Sequence, residues 1–213
     1  MTAWDGLWRD RLQRYGTPQR KHRIALALLQ GAAPAFPLVD VGAGPGTFLK
    51  LVEEAFPAAA ACGIDPSGYA AQQRFCASAI IEGAAESWRP PAKVATVACI
   101  DVIEHVSSPE PFLAHIASYA DRIILICPNF NFYQQRIDVL LGRIPFQNKP
   151  QRGGHVYWCQ YASLRKLFAS CRLSVEAELH EYPKHDWRLA RAIGGLRPAL
   201  FASAFGFRLR TGS

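Results

Sequence analysis

The stretch that decides the fold is 38–46, which reads LVDVGAGPG. Its first four residues are mostly apolar, as is typical of a short buried strand. The three glycines that follow allow a sharp turn and a close approach of the backbone to a ligand. A helical pattern begins at Thr47, so the free N–H groups of a helix start would face the same ligand. The stretch therefore predicts a strand, a ligand-binding turn and a helix in direct succession.

A carboxylate supports this interpretation of the turn. The next predicted strand runs into Asp65, nineteen residues after Gly46. A carboxylate at that place can accept hydrogen bonds from both hydroxyls of a ribose. The glycine spacing is GxGxG, with Thr47 where the third glycine of a dinucleotide-binding turn would fall, which argues against a nicotinamide cofactor. Together the turn and Asp65 predict a nucleoside cofactor.

Outward from this stretch, strands and helices alternate along the chain. Strands are predicted at 38–41, 59–64, 79–82, 94–100, 122–127, 173–181 and 200–209. Helices are predicted at 4–15, 20–30, 47–54, 68–77, 112–119, 132–141, 161–171 and 186–193. The strands read as near-continuous apolar runs, which is typical of a parallel sheet covered on both faces. The pattern predicts an α/β protein with a Rossmann-like, doubly wound sheet of seven strands, mostly parallel, with one antiparallel strand in the edge region.

We expect a single domain over 1–213 with four parts. N-terminal helices occupy 1–30, a cofactor-binding core 38–128, a substrate cap 129–160, and a helix-strand part 161–213. The cap is irregular and rich in Pro, Gly and aromatic residues. We expect it over the carboxyl ends of the strands, where open α/β sheets bind ligands.

The composition indicates a folded protein and bears on its cellular compartment. Of the 213 residues 50% are hydrophobic and 19% are charged, as in folded proteins. No apolar run is long enough for a transmembrane segment, and the start lacks a signal-peptide pattern. The six cysteines form no CxxC pair, which predicts reduced thiols and a cytoplasmic protein. The net charge of +7 keeps nucleic acid or an anionic membrane surface open as partners, although no long Lys/Arg block supports either.

Several motifs together carry a resemblance to a known family. The order DxGxGxG from Asp40, followed by GIDPS at 63–67, resembles the class I S-adenosylmethionine-dependent methyltransferases. The segment EGAAE at 82–86 is similar to the adenine-contacting segment of that superfamily, and IDVIEHV at 100–106 to its segment after strand four. The resemblance covers about 20–130.

The resemblance implies S-adenosylmethionine as the cofactor and a position for each of its parts. The glycine turn would run beneath the methionine part, with Asp40 close to its amino group. Asp65 would hold the ribose, the backbone of Ala85 would meet the adenine, and Asp101 would close the site from the other side. One departure is Ala84, since the family often has an acid there. The residues implied for cofactor binding are Asp40, Gly42, Ala43, Gly44, Gly46, Asp65, Pro66, Ala85 and Asp101.

The resemblance also implies methyl transfer, and we expect a small-molecule acceptor methylated at oxygen. Such a transfer depends mainly on alignment of the two reactants. An oxygen or nitrogen nucleophile usually also needs a proton removed, for which His105, Glu104 and His155 are the candidates. The alternative is that Glu104 and His105 orient their loop or pair with each other.

A metal site is a further alternative. Asp101, Glu104 and His105 form a DxxEH cluster, and His155 lies in the predicted cap. Carboxylates and imidazoles in this combination can hold Mg²⁺ or a transition metal, which would activate a substrate hydroxyl. The cluster is similar to the metal sites of small-RNA 2′-O-methyltransferases and, more loosely, of ubiquinone-pathway O-methyltransferases.

A second resemblance raises a non-catalytic alternative. Pro128-Asn129-Phe130, Arg136, the segment LLGRIP at 140–145 and His155 resemble MetW-like methyltransferases of methionine biosynthesis. That branch implies a cofactor-binding protein that regulates or supports a partner enzyme.

The first helix bears on the oligomeric state. It carries Trp4, Trp8, Leu12 and Tyr15 at helical spacing, which we interpret as a core-facing stripe. Packed on its own sheet the stripe predicts a monomer, and packed on another subunit a homodimer.

Overall fold

The computed structural model describes residues 3–33, 36–145, 154–183 and 197–212. Seven strands form one sheet in the order β3-β2-β1-β4-β5-β7-β6. The strands are β1 Leu38–Val41, β2 Ala61–Asp65, β3 Ile80–Glu82, β4 Val94–Ile100, β5 Ala120–Pro128, β6 Leu173–Glu178 and β7 Ala204–Thr211. Strands β1 to β5 are parallel, and β7 runs antiparallel between β5 and β6. The predicted fold class is confirmed.

Helices pack on both faces of this sheet. They are α1 Ala3–Tyr15, α2 Arg20–Gln30, α3 Thr47–Ala55, α4 Gly68–Gln72, α5 Pro109–Ala117, α6 Tyr133–Leu140, α7 Tyr161–Ser170 and α8 Pro198–Phe201, with a 3-10 turn at Ile103–His105. The buried side chains of α2 and α3 form one hydrophobic cluster with the sheet. Those of α5 and α7 form the cluster on the opposite face. Because both faces are covered, all four residues of β1 are buried, which explains the continuous apolar runs.

Several predicted boundaries were wrong. The helix expected to reach about Ala77 ends at Gln72. The helix expected from Phe112 begins at Pro109, because proline is well suited to the first turn of a helix. The last strand begins at Ala204 rather than Leu200, since α8 occupies the preceding residues.

Two more predictions concern the C-terminal part. The strand expected over 173–181 ends at Glu178, and Glu181 forms only an isolated bridge with Ala204. The helix predicted at 186–193 lies outside the described residues.

Helix α1 packs on its own chain. Asp5 is buried, and its Oδ1 accepts hydrogen bonds from Ser67 Oγ at 2.7 Å and from the Tyr69 N–H at 3.2 Å. These contacts fix α1 against the start of α4, beside the end of β2. Of the described helices, none has the length and apolar character needed to cross a membrane.

Candidate active site

The glycine turn lies between β1 and α3, at the carboxyl end of the sheet. Gly42, Gly44 and Gly46 have φ values of 69°, 52° and 76°, which favour glycine over any residue with a Cβ. The Gly42 and Ala43 N–H groups donate to Ile64 O at 2.8 and 3.1 Å, so the turn is tied to β2. Glycine is therefore required here by the backbone conformation itself.

Asp65 connects this turn to the end of β2. Its Oδ2 accepts from the Gly44 N–H at 2.7 Å and its Oδ1 from the Ser67 N–H at 2.9 Å. The Trp8 side chain donates a third hydrogen bond to it. Burial raises the pKa of Asp65, although these three hydrogen bonds act to lower it. The Asp65 carboxylate is therefore already bound by three protein donors.

A cavity of about 420 Å³ opens beside the turn. The predicted site residues that line it are Asp40, Gly42, Ala43, Asp65, Pro66, Ala85, Asp101, Glu104, His105 and His155. Gly44 and Gly46 support the turn instead. A Cβ at Gly44 would lie 2.5 Å from the Trp8 ring. Gly46 precedes the first residue of α3, and a Cβ there would clash with Cys76 Sγ.

Asp40 lies deep in this cavity and is 2% exposed. Burial raises its pKa well above the usual value, and the neighbouring carboxylate of Asp65 raises it further. A carboxyl group in this position favours a cation beside it, because a positive charge would stabilise the ionised form.

Asp101 follows β4 directly and has a φ of 54°, in the left-handed region that residues other than glycine rarely adopt. Its Oδ2 lies 2.5 Å from Lys21 Nζ. Burial would raise the pKa of Asp101, but the Lys21 ammonium group lowers it. The structure therefore pairs Asp101 with Lys21, which the sequence analysis did not consider.

The cap brings His155 to the 3-10 turn after β4. Glu104 O accepts hydrogen bonds from the Val156 and Tyr157 N–H groups at 2.8 and 3.0 Å, which hold the segment after His155 against the 3-10 turn. The His105 and His155 rings meet edge to face, with centroids 4.8 Å apart. His105 Nδ1 lies 3.1 Å from Gly154 O. Two imidazoles from distant parts of the sequence thus share one end of the cavity.

Glu104 lies beneath this pair and is 1% exposed. Burial raises its pKa well above the usual value, and the charge of Asp101 raises it further. Its Oε2 has no hydrogen-bond partner among the described residues. One potential donor atom each from Glu104, His105 and His155 lies within 4.8 Å of the other two.

Four lining residues come from the N-terminal helices, namely Trp8, Tyr15, Lys21 and His22. The stripe of the first helix was interpreted as core-facing, but Trp8 and Tyr15 face the cavity. Only the helical spacing of these aromatics signalled a shared face, and spacing does not reveal what that face contacts. Burial lowers the pKa of His22 to about 3, and its Nδ1 accepts from the Gln19 N–H at 3.0 Å. Nothing in the sequence distinguished His22 or Lys21 from the other basic residues around them.

Comparisons with known proteins agree with this geometry. Solved structures with the same fold include magnesium protoporphyrin IX methyltransferase from Synechocystis with bound SAH, at 17% identity and a TM-score of 0.69, covering 98% of this chain and 96% of that one. They also include a possible histamine N-methyltransferase from Thermotoga maritima, at 14% identity and a TM-score of 0.66, covering 98% and 99%. A third is the putative methyltransferase complexed with the Trm112 activator from Haloferax volcanii, at 15% identity and a TM-score of 0.64, covering 99% and 96%.

Among curated proteins, no sequence matches this chain. A family model described as a methyltransferase domain matches residues 4–177, which is most of the chain. The predicted methyltransferase class is thereby confirmed, and the chain belongs to the methyltransferase domain family.

Proposed function

We propose that the protein transfers a methyl group from S-adenosylmethionine to a small-molecule acceptor, with oxygen as the accepting atom. The observation that carries this proposal is the continuity of one cavity. Its lining includes the glycine turn and Asp65, and also His105 and His155, whose part of the cavity we call the histidine end. Structural neighbours crystallised with SAM or SAH share the fold and support the choice of cofactor.

The cofactor would lie along the turn. Asp65 would accept hydrogen bonds from the ribose hydroxyls, and the backbone around Ala85 would contact the adenine. Asp40 would face the cationic amino acid part, where its burial makes a positive charge favourable. The sulfonium methyl group would then point towards the histidine end.

The acceptor oxygen would attack the methyl carbon in line with the departing sulfur. The carbon–oxygen bond forms as the carbon–sulfur bond breaks, and S-adenosylhomocysteine leaves with the electron pair on sulfur. The acceptor proton must be removed, and His105, Glu104 and His155, which all line the cavity, are the candidates to accept it. Alignment of the two reactants within the cavity would supply much of the rate.

Calorimetric titration with S-adenosylmethionine and S-adenosylhomocysteine tests the cofactor site. Asp65→Asn keeps the shape of the side chain and removes its charge. We expect binding of both ligands to weaken about 10- to 100-fold, because hydrogen bonds to charged groups are worth about 1.5–3 kcal/mol. Asp121→Asn is the matched control, since Asp121 lies on the surface at the start of β5, paired with Lys93. Equal affinities for Asp65→Asn and wild type would contradict the ribose assignment.

Turnover separates the proposed enzyme from a MetW-like regulator. An enzyme forms S-adenosylhomocysteine when offered a pool of hydroxylated small molecules, and His105→Ala should slow that reaction. A regulator would bind the cofactor, leave it unconverted and co-purify with its partner enzyme. Cofactor binding without turnover across the acceptor pool, together with such a partner, would favour the regulator.

Metal-assisted methyl transfer is a second candidate, favoured by the grouping of Glu104, His105 and His155. Two imidazoles and a carboxylate are a donor set that suits zinc and other transition metals better than Mg²⁺. The partnerless Oε2 of Glu104 fits this use. Asp101 belongs to the predicted metal set, but its pairing with Lys21 leaves three candidate ligands. A metal held there would activate an acceptor hydroxyl.

Metal analysis of the purified protein tests this candidate. We expect one transition metal ion per chain in wild type and loss of most of it in His155→Ala. His115→Ala is the control, because His115 lies on α5 and bonds to Trp88 O. Turnover that survives chelation unchanged, in a protein without bound metal, would rule the candidate out.

A further inference from the structure

Exposed apolar side chains are concentrated in one part of the described chain. Ten large hydrophobic residues are exposed among the described residues, and seven of them fall within 137–158. Leu140 is 84% exposed and Trp158 is 62% exposed. Single exposed apolar residues are ordinary, but such a concentration marks a surface that contacts another apolar phase. We define the apolar face as Ile137, Leu140, Leu141, Ile144 and Trp158.

Helix α6 has the reverse of the usual orientation. Its buried residue is Gln135, which is 6% exposed and donates from Nε2 to Asn129 O at 2.8 Å. Its apolar residues Ile137 and Leu140 lie away from Gln135 and are exposed. An isolated surface helix in water normally buries its apolar side and exposes its polar side. The arrangement in α6 is therefore favourable only if its outer side is covered.

The apolar face is connected to the lining of the cavity through Trp158. Trp158 stacks on Phe130, with ring centroids 5.8 Å apart and an interplanar angle of 6°. Phe130 in turn meets the edge of His155, a lining residue, at 5.7 Å. A short series of aromatic rings thus connects the apolar face to the histidine end of the cavity.

The charge of this segment indicates what covers it. Among the described residues of 136–158, Arg136 and Arg143 are basic and exposed and Asp138 is acidic, within a chain of net charge +7. Exposed apolar side chains next to arginines are typical of surfaces that lie in the interface of anionic membranes. A second copy is disfavoured, because a symmetric contact would bring the same positive charges together.

We propose that the apolar face docks on an anionic lipid bilayer. Leu140, Leu141 and Ile144 insert at the level of the headgroups, and Arg136 and Arg143 pair with lipid phosphates. The docking orients the cavity entrance towards the bilayer. If the proposed methyl transfer holds, its acceptor is an apolar hydroxylated molecule drawn from the membrane, and this last step rests on the proposed function.

Vesicle sedimentation tests the docking. Wild type should sediment with vesicles of phosphatidylcholine mixed with phosphatidylglycerol. With vesicles of pure phosphatidylcholine it should stay in the supernatant. The double variant Leu140→Ser/Ile144→Ser should bind the anionic vesicles at least tenfold more weakly, because a serine has almost no apolar surface to bury in the bilayer. Leu179→Ser is the matched control, since Leu179 is exposed outside the apolar face and should have no effect.

Other outcomes would overturn the proposal. Equal vesicle binding by wild type and the double variant would place the membrane contact elsewhere. A concentration-dependent dimer in lipid-free sedimentation velocity, abolished in the double variant, would assign the apolar face to a second copy. Calorimetric titration with S-adenosylmethionine separates the two proposals, because the double variant should keep wild-type cofactor affinity. If wild type binds no S-adenosylmethionine, the proposed function is refuted, but the docking result still stands.

Discussion

At the scale of single residues, Trp8 and a ribose would compete for one carboxylate. A carboxylate offers about four acceptor positions, and three donors already use Asp65. The Gly44 and Ser67 donors are fixed in the backbone, so Trp8 is the one that can withdraw. We expect Trp8→Phe, which keeps a ring and removes the N–H, to bind S-adenosylmethionine about two- to tenfold more tightly in calorimetry.

The control for this substitution is Trp88→Phe. Trp88 packs on Tyr119, away from the cavity lining, so its loss should leave affinity unchanged. Weaker binding by Trp8→Phe would show instead that the indole holds the cofactor.

Asp40 predicts a pH dependence of cofactor affinity. Its pKa is raised in the empty cavity, so its folded state retains a proton that an ordinary carboxyl group would have lost. A bound cation favours the ionised form, so binding releases this proton. Affinity should therefore rise with pH until the pH exceeds the pKa of Asp40, by at most about tenfold per pH unit. Titrations from mildly acidic to neutral pH measure the slope, and Asp40→Asn should flatten it; an equal slope in the variant would assign the proton to another group such as Asp65.

Most of the predicted site residues line the cavity, because the glycine turn and the acid after the next strand form a pattern that can be read from the sequence. The ion pair of Lys21 with Asp101 could not be read in this way, since eighty positions separate the two residues and no local pattern links them. The roles of His105, Glu104 and His155 stay predictions, although the structure brings all three together.

At the scale of elements, the Ser67 side chain connects helices α1 and α4. Its Oγ accepts from the Ala70 N–H at 3.1 Å, capping α4, and donates to Asp5 of α1. We expect Ser67→Ala to lower the free energy of unfolding by about 1 to 2 kcal/mol, because the helix loses its cap and Asp5 a buried partner. Denaturant unfolding measures this, with the exposed Ser118→Ala as control. An effect no larger than that of the control would mean that water replaces both hydrogen bonds.

Element types were predictable where the periodicity was strong. Helix α2 and strand β4 have the predicted bounds, because a clear amphipathic or apolar pattern starts and stops at each end. The end of α4 could not be predicted, since 73–77 contains no residue that normally ends a helix. Tertiary contacts of this segment determine where α4 ends. The inverted orientation of α6 was equally hidden, because the same apolar spacing fits a helix turned either way.

At the scale of the whole molecule, the cofactor should stabilise the fold. The cavity lies between the N-terminal helices and the carboxyl ends of the strands, so its ligand contacts both. With S-adenosylhomocysteine at about a hundred times its Kd, linkage gives about 2.7 kcal/mol, or a rise in Tm of about 5 to 10 °C for a chain of this size. Thermal scans measure this. Asp65→Asn should show a smaller rise at the same ligand concentration, and an equal rise would contradict a common site.

The overall topology was predictable as a class and not in its strand order. Alternating strands and helices require the parallel core, because right-handed crossovers leave few other arrangements. The place of β7 between β5 and β6 depends on pairing across the whole sheet, with Pro128 opposite Ala204, which no local pattern encodes.

Because Trp8 donates a hydrogen bond to Asp65, cofactor binding should speed up proteolysis of α1 instead of slowing it. Ligands normally protect a protein from cleavage, because they hold it in its folded state. Here the ribose would displace Trp8 and remove one contact of α1, leaving those of Asp5, while the sheet behind it becomes more stable. Trypsin would then cut after the exposed Arg9, next to Trp8, faster in the presence of cofactor, even as the remaining chain resists digestion longer. A shortened but otherwise intact core would therefore accumulate as the signature of an occupied site.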